Sequence, residues 1–246
     1  MVKTGIEWCD ATWNPWIGCH KIATGCKNCY MYRDSKRFGF DPTIVRRSKT
    51  KFNEPLKWKD PKRIFVCSYS DFWHEDADAW RREASEIIIE ANHHIYMILT
   101  KRADRMAWWY QDAASDQHHN LQLFNKSMSH IHWGISASTQ EELKKNIDYL
   151  NGMPGTKFLS IEPMLEPINL DRFRDMRING VIVGCESGPY RRLFNDQWAN
   201  WLMQQCQERS IPFFYKQGID SKTGKLVKMP ELDGRVWNQL PEKSYD

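Results

Sequence analysis

The sequence lacks any apolar run long enough to cross a bilayer. A membrane-spanning helix needs roughly 20 consecutive apolar residues, and no stretch of the 246 residues approaches that length. The first ten residues, MVKTGIEWCD, also lack the basic and apolar regions of a secretory signal peptide. We therefore expect a soluble cytoplasmic protein without a membrane partner.

A disulfide framework is also missing. The seven cysteines are an odd number, and the cytosol keeps thiols reduced. A tight group of cysteines in such a chain indicates a metal site instead.

The chain has no strong excess of charge of one sign. Its net charge is +4, which permits a nucleic-acid or phosphorylated partner without requiring one. The 12 tryptophans would serve as core volume or as stacking platforms for bases.

What the sequence does have is a series of short apolar runs of strand character with helical stretches between them. The runs cover residues 63–67, 95–99, 131–135, 157–161, 180–183 and 212–215. The helical stretches cover residues 77–91, 105–111, 139–150 and 196–209, and Thr139 to Glu142 form a capping-box pattern. This alternation predicts an α/β fold with a parallel sheet, closed as a barrel or open and doubly wound.

We expect one domain over residues 1–246. Residues 1–62 would hold a first strand near residues 11–17 and a cysteine loop, residues 63–218 the βα units, and residues 219–246 a C-terminal flank. The polar segment 111–129, with His118 and His119, is interpreted as a surface loop.

Polar or charged residues follow each of the six apolar runs. In chain order they are Ser68, Ser70 and Asp71, then Lys101 and Arg102, then Ser136 and Ser138, then Glu162, then Cys185 and Glu186, then Lys216. The carboxyl ends of parallel strands line one mouth, where active sites lie in barrels and open sheets alike. The pattern therefore predicts one shared pocket.

Three cysteines stand close together ahead of this series. Cys19, Cys26 and Cys29 have the spacing C-x6-C-x2-C in the loop WIGCHKIATGCKNCY, where Gly18 and Gly25 allow the backbone to turn. Three thiolates predict an iron–sulfur cluster with one iron position open for a substrate or cofactor.

Two other interpretations of the cysteines remain open. A zinc ion would need a fourth ligand, for which His20 or Cys9 is available. The thiols would otherwise be unligated core residues.

Six segments carry a resemblance to a known superfamily: TGIEWCDATWNPWIGC, GCKNCY, LTKR, SIEPM, ESGP and PFFYKQ. With its three cysteines, the chain resembles the radical S-adenosylmethionine superfamily. It is more closely similar to a phage-associated three-Cys-motif family of uncharacterised proteins, from Thr4 to about Gly218. The first cysteine gap is six residues instead of the usual three, Cys185 stands where glycine is expected, and residues 190–193 read YRRL instead of a Gly-Ala-Arg-Pro-like run.

The resemblance implies a partial (βα)6 barrel of the TIM type with a [4Fe-4S] cluster on the three cysteines. The open iron would chelate S-adenosylmethionine, whose reductive cleavage yields a 5'-deoxyadenosyl radical that abstracts a substrate hydrogen. An electron donor such as flavodoxin or ferredoxin is implied. The phage association suggests a modified DNA base or nucleotide as substrate, and the host cytoplasm as the compartment.

The strand-end residues then receive expected roles. Those expected to bind cofactor are Ser68, Ser70, Asp71, Ser136, Ser138 and Glu162; those expected to act in catalysis are Glu162, Glu186 and Cys185; those expected to hold a substrate phosphate or carboxylate are Lys101, Arg102, Arg191 and Lys216. The alternatives are buried ion pairs for the two glutamates, an inert thiol for Cys185 and solvated charges for the basic residues.

Two alternative functions share these features. One is a non-enzymatic nucleic-acid- or protein-binding module with a structural zinc or iron–sulfur site. The other is a repair enzyme like the photoproduct lyases, which would share the cofactor and differ in substrate.

Overall fold

The computed structural model describes residues 4–115 and 127–241. In chain order, its strands are β1 (Ala11–Trp13), β2 (Trp16–Ile17), β3 (Arg46–Arg47), β4 (Arg63–Val66), β5 (Ile95–Thr100), β6 (Ile131–Ser136), β7 (Lys157–Ile161), β8 (Val181–Gly184), β9 (Phe213–Ile219), β10 (Leu226–Lys228), β11 (Glu231–Leu232) and β12 (Arg235–Val236). The described helices are α1 (Tyr30–Phe38), α2 (Asp78–Glu90), α3 (Ala103–Ser115), α4 (Gln140–Asn151) and α5 (Asp196–Glu208).

Eight of these strands form one curled, half-barrel sheet in the order β1-β4-β5-β6-β7-β8-β9-β10. The first seven are parallel, and β10 pairs antiparallel with β9. Two small two-stranded sheets, β2-β3 and β11-β12, lie beside it. The predicted α/β class with a parallel sheet is confirmed.

The strands are apolar along nearly their whole length because both faces of the sheet are covered. On one face a large core packs against the helices, with members such as Ile87, Met106 and Leu143. The other face carries a smaller cluster of Trp8, Cys9, Phe65, Met97, Phe158, Ile182 and Phe214, which contains no helical residue. Since register places Phe65 opposite Met97 and Ile182 opposite Phe214, these side chains form one layer inside the half barrel.

Most predicted elements agree with the structure to within one or two residues. The region near residues 11–17 contains two short strands instead of one. The strand is interrupted at Asn14 and Pro15, because proline has no backbone N–H to donate to a neighbouring strand. Helix α3 extends beyond residues 105–111, so the first part of the predicted loop 111–129 is helical. Residues 116–126, including His118 and His119, lie outside the described residues.

Two elements were placed wrongly or missed. Strand β9 continues past Tyr215 to Ile219 because β10 pairs with it, so Lys216 lies inside a strand rather than after one. Helix α1, absent from the sequence prediction, ends at a left-handed Gly39 (φ 66°), an ordinary helix stop. No helix within the described ranges combines the length and apolar character that a membrane-spanning helix needs.

The packing inside the half barrel predicts a cost for Gly134→Ala. A Cβ at Gly134 would overlap the ring of Phe158 on the neighbouring strand. Overpacking of this kind costs about 1–3 kcal/mol, so urea denaturation should show a free energy of unfolding lower by that amount. The control is Gly152→Ala, since that position has helical backbone angles and its nearest neighbouring atom is 3.7 Å away. Equal stability of the two variants would contradict the packing described here.

Candidate functional site

A cavity of about 210 Å³ opens at the carboxyl ends of the strands. It is bounded by the cysteine loop on one side, and Trp8 and Phe65 of the inner layer reach it from below. The predicted site residues that line it are Cys19, Cys26, Cys29, Ser68, Ser70, Asp71, Lys101, Arg102, Ser136, Glu162, Cys185, Glu186 and Lys216. The structure therefore brings 13 of the 15 predicted residues together; Ser138 and Arg191 are not among the lining residues.

The first half of the cysteine loop is fixed by backbone contacts around Gly18. Gly18 has φ +102°, and a Cβ there would overlap the Ile44 carbonyl oxygen, so only glycine fits. Its N–H donates to the Tyr69 carbonyl at 3.0 Å, and the Ser70 hydroxyl donates to the Gly18 carbonyl at 2.5 Å. The Tyr32 hydroxyl in turn donates to the Cys19 carbonyl at 2.7 Å. The Cys19 backbone is thus tied to the strand-end loop after β4 and to α1.

The second half of the loop rests on the start of α4. One carboxylate oxygen of Glu142 accepts the Thr24 N–H at 2.7 Å, and the other accepts the Ser138 N–H at 2.8 Å. Gly25 packs on the buried Ser138 hydroxyl so closely that a Cβ would overlap it. Thr139 accepts the Glu142 N–H at 3.2 Å, so half of the capping box is formed, while the Glu142 side chain is diverted to the cysteine loop.

The spacing of the three sulfurs bears on which metal group they fit. In a tetrahedral zinc site with Zn–S near 2.3 Å, ligand sulfurs lie roughly 3.8 Å apart. Among the described residues, the only three metal-ligating side chains with ligand atoms all within 4.8 Å of one another are His20, His74 and Asp76. The sulfurs of Cys19, Cys26 and Cys29 do not form such a group, so at least one pair of them lies further apart than two ligands of one zinc ion would.

The two proposed completing ligands for zinc lie elsewhere or are engaged. Cys9 lines a different pocket with residues 4–7 and directs its thiol to the Ile6 carbonyl. The Nε2 atom of His20 lies 3.0 Å from the Thr43 carbonyl oxygen. Its Nδ1 atom lies 3.8 Å from Glu75, and His20 belongs to the compact group with His74 and Asp76 described above.

Asp71 is the centre of a buried hydrogen-bond network. Its carboxylate accepts from the Thr100 hydroxyl at 2.7 Å, the Trp73 N–H at 2.9 Å and the Lys101 N–H at 3.0 Å. The Arg102 guanidinium lies 3.5 Å from the same carboxylate. These contacts join the ends of β4 and β5 and leave the Asp71 carboxylate satisfied within the chain.

Cys19 is partly buried beside this network. Burial raises the pKa of the Cys19 thiol to about 12; Asp71 adds to the rise and the Arg102 guanidinium opposes it. Nη1 of Arg102 donates to Sγ of Cys19 at 3.7 Å. The free thiol is therefore protonated at neutral pH, so binding to a metal must displace its proton.

Two lysines form the cationic wall of the cavity. Lys101 Nζ donates to the Ser136 hydroxyl at 2.6 Å. Lys216 Nζ forms an ion pair with Glu162, which is one of the pairings expected for that glutamate. Both ammonium groups are partly buried, so a bound anion would meet them with little screening by water.

Glu186 is held by a different set of partners. Arg192 forms an ion pair with its carboxylate, and Asn28 donates to it at 3.0 Å. Burial acts to raise the pKa of Glu186, but the hydrogen bonds from Arg192 and Asn28 outweigh it and the pKa is lowered. Glu186 is thus ionised, and it ties the loop after β8 to the cysteine loop.

The remaining predicted residues have clear positions. Cys185 is 1% exposed, and burial raises its pKa to about 12, so its thiol faces the cavity in the protonated form. Arg191 turns away to the carbonyls of Gly188 and Gly224. Ser138 is fully buried, and no described residue hydrogen-bonds its hydroxyl.

Sequence reasoning missed several residues that shape the site. Asn28, Tyr30 and Cys67 line the cavity, and Arg192 and Glu142 hold its walls. The Tyr30 hydroxyl donates to the Ser68 carbonyl, and burial raises its pKa well above the ordinary value. Asn28 and Tyr30 carried a signal in their position beside Cys29, and Glu142 carried one in the capping-box pattern, which did not indicate its contact with the cysteine loop.

Comparison with known proteins places the chain in a family. A family model described as "Protein of unknown function (DUF5131)" matches residues 3–241. No curated protein and no solved structure matches the chain.

The double contact of Glu142 predicts that Glu142→Ala loosens the cysteine loop. The variant leaves the Thr24 and Ser138 N–H groups without their acceptor. Hydrogen exchange followed by mass spectrometry should show exchange of peptides covering residues 19–29 at least tenfold faster, as loss of about 1.4 kcal/mol predicts. The control is Glu141→Ala, one residue earlier on the exposed face of α4. Unchanged exchange in Glu142→Ala would show that the carboxylate does not hold the loop.

Proposed function

Because the chain belongs to the DUF5131 family of proteins of unknown function, its activity is inferred from its own site, and we propose that it is a radical S-adenosylmethionine enzyme. The observation that carries the proposal is the placement of Cys19, Cys26 and Cys29 in one loop over the carboxyl ends of a half-barrel sheet, in the same cavity as the polar strand ends. The proposal includes the finer fold assignment, a partial (βα)6 barrel of the TIM type.

In this proposal the three cysteines hold a [4Fe-4S] cluster. When bound, the cluster and S-adenosylmethionine supply the one-electron chemistry that yields a 5'-deoxyadenosyl radical. The chain's own residues bind the cofactor and the substrate, orient them and exclude water. Trp8, Phe65 and Leu99 give the cavity an apolar floor, which keeps water from a reactive species.

The cofactor-binding wall is proposed to consist of Ser68, Ser136 and Lys101, with Glu162 beside them. The Lys101 ammonium lies 2.6 Å from the Ser136 hydroxyl and is suited to a carboxylate such as that of S-adenosylmethionine. Ser70 and Asp71 serve the same wall indirectly, since their polar atoms are bonded to Gly18, Thr100 and backbone groups. Ser138 supports the loop at Gly25.

The catalytic proposals rest on protonation states. Cys185 presents a buried S–H to the cavity, which is the form that can donate a hydrogen atom to a substrate radical. The thiyl radical left on its sulfur would regain one electron from the external electron donor together with a proton. The Glu162–Lys216 ion pair can transfer a proton between the Lys216 ammonium group and the Glu162 carboxylate. Glu186 is ionised and paired with Arg192, and it holds the loop after β8 in place at the mouth of the cavity.

The proposed substrate is a DNA base or nucleotide. Support comes from Lys216, which lines the cavity in an ion pair with Glu162, and from the mild basic excess of the chain. Arg191 lies outside the cavity lining and Arg102 is engaged within the chain, so those two support substrate binding less directly. A flavodoxin or ferredoxin would supply electrons in the cytoplasm, that of the host if the gene is carried by a phage. A photoproduct-lyase-like outcome would use the same groups, and product analysis distinguishes the two.

The cysteine assignment predicts the metal content. After anaerobic reconstitution the protein should hold about four irons per chain with broad absorption near about 400 nm, and Cys26→Ala should lose both signals. Cys9→Ala is the matched control, because Cys9 lies in a different pocket, and it should retain them. One tight zinc per chain in place of iron would favour the structural-metal alternative.

The activity itself is tested with S-adenosylmethionine. Reduced, reconstituted protein should release 5'-deoxyadenosine, measured by chromatography. Lys101→Met should raise the KM for S-adenosylmethionine about tenfold or more, because a charge-assisted hydrogen bond contributes roughly 1.5–3 kcal/mol, while the iron content stays unchanged. Lys144→Met, on the exposed face of α4, should behave like the wild type. Absence of 5'-deoxyadenosine with several reductants would remove the enzyme proposal.

A further inference from the structure

A buried arginine points at one of the three proposed cluster ligands. Arg102 is 5% exposed, and its Nη1 donates to Sγ of Cys19 at 3.7 Å while Nη2 donates to the His20 carbonyl at 3.5 Å. Among the described residues, no donor hydrogen-bonds the sulfur of Cys26 or Cys29. The three cysteines are therefore not equivalent, since only Cys19 has a cationic partner.

The guanidinium is held in this orientation by two carboxylates. Nε of Arg102 donates to Glu75 at 3.2 Å, and Nη1 lies 3.5 Å from Asp71. Asp71 is itself fixed by Trp73 and Thr100, and the Arg102 N–H donates to the Thr100 hydroxyl at 2.8 Å. Carboxylate, guanidinium and sulfur thus form a chain of contacts in which the last member is a metal-ligand candidate.

This arrangement leaves Arg102 little to offer a substrate. Its three nitrogens are directed to Glu75, Cys19, Asp71 and the His20 carbonyl, and almost none of the side chain reaches solvent. The sequence expectation was a substrate anion site. The geometry instead directs the positive charge to the cysteine loop.

We propose that Arg102 is a positioning residue for Cys19, orienting the ligand sulfur and raising the reduction potential of the cluster through its hydrogen bond and charge. The proposal rests on the proposed function, in that it requires the cysteines to hold an iron–sulfur cluster. Hydrogen bonds to ligand sulfurs and local net charge are two of the factors that set the potential of such clusters, and partners of metal ligands orient them. Because reduction adds negative charge to the cluster, a fixed cation favours the reduced form.

The test is a redox titration of the reconstituted protein, followed by the electron paramagnetic resonance signal of the reduced cluster. In Arg102→Gln the equilibrium constant for reduction should fall about tenfold, which is a shift of about 59 mV to more negative potential for one electron. Arg102→Lys keeps a charge without the planar fork and should shift less in the same direction. Glu75→Gln removes a half-exposed carboxylate from Arg102 and should shift the potential the opposite way.

Arg105→Gln is the matched control. Arg105 is three residues further along the chain and contacts Asp78 and the Trp73 carbonyl rather than the cysteine loop. The cluster in Arg105→Gln should therefore have the same reduction potential as in the wild type. A loss of folding alone would not reproduce opposite shifts in Arg102→Gln and Glu75→Gln.

The outcomes separate this inference from the proposed function. A wild-type protein that binds no iron–sulfur cluster overturns the proposed function, and this inference with it, before any variant is made. A wild-type cluster with an unchanged potential in Arg102→Gln overturns the inference alone. If Arg102→Gln binds no iron, the potentials of Arg102→Lys and Glu75→Gln decide, and unshifted values in both overturn it.

Discussion

The site depends on one constraint, the docking of the cysteine loop onto the carboxyl ends of the strands. Little apolar burial holds this loop. Glycines at 18 and 25 let its backbone approach Ile44 and Ser138 within distances that no side chain would permit, and Glu142 accepts an N–H from each side of the contact. Because these bonds are directional, they set where the thiols lie more narrowly than hydrophobic packing would. A carboxylate also holds the loop at the other wall of the cavity, where Glu186 accepts a hydrogen bond from the Asn28 side chain.

The two faces of the sheet have different roles: one packs against the helices, and the other carries the layer below the cavity. Helices cover one face with the large core, while the inner layer of Phe65, Phe158 and Phe214 fills the half barrel without any helical residue. That layer ends below the cavity, so the polar strand ends stand on an apolar base. Charges placed there are poorly hydrated, and the three carboxylates each have a cationic partner: Glu162 has Lys216, Asp71 has Arg102 and Glu186 has Arg192. Lys101 instead donates to the Ser136 hydroxyl.

Periodicity and polar strand ends predicted much of this from the sequence. The apolar runs located the strands because both faces of a covered sheet must be apolar, and 13 of the 15 named residues line one cavity because parallel strands end at the same edge. Long-range pairings were not predictable in the same way. Lys216 falls within β9 because β10, ten residues later, pairs with it, and Glu142 reaches Thr24 across 118 positions. A basic residue directly after a strand predicted an anion site at Arg102. The fold shows instead that its guanidinium is directed to Cys19.

The two edges of the half barrel are joined differently from its neighbouring strands. Strands β1 and β10 end the sheet order, and the segment before β1 is joined to β10 by Lys228, which pairs with Glu7 and donates to the Gly5 carbonyl. Neighbouring strands of the sheet are joined by a ladder of backbone hydrogen bonds, whereas this link is made by a single lysine side chain. The two ends of the described sheet therefore meet through side-chain contacts and not through a backbone ladder. Lys228 and Gly5, which are 223 positions apart in the sequence, are in direct contact as a result.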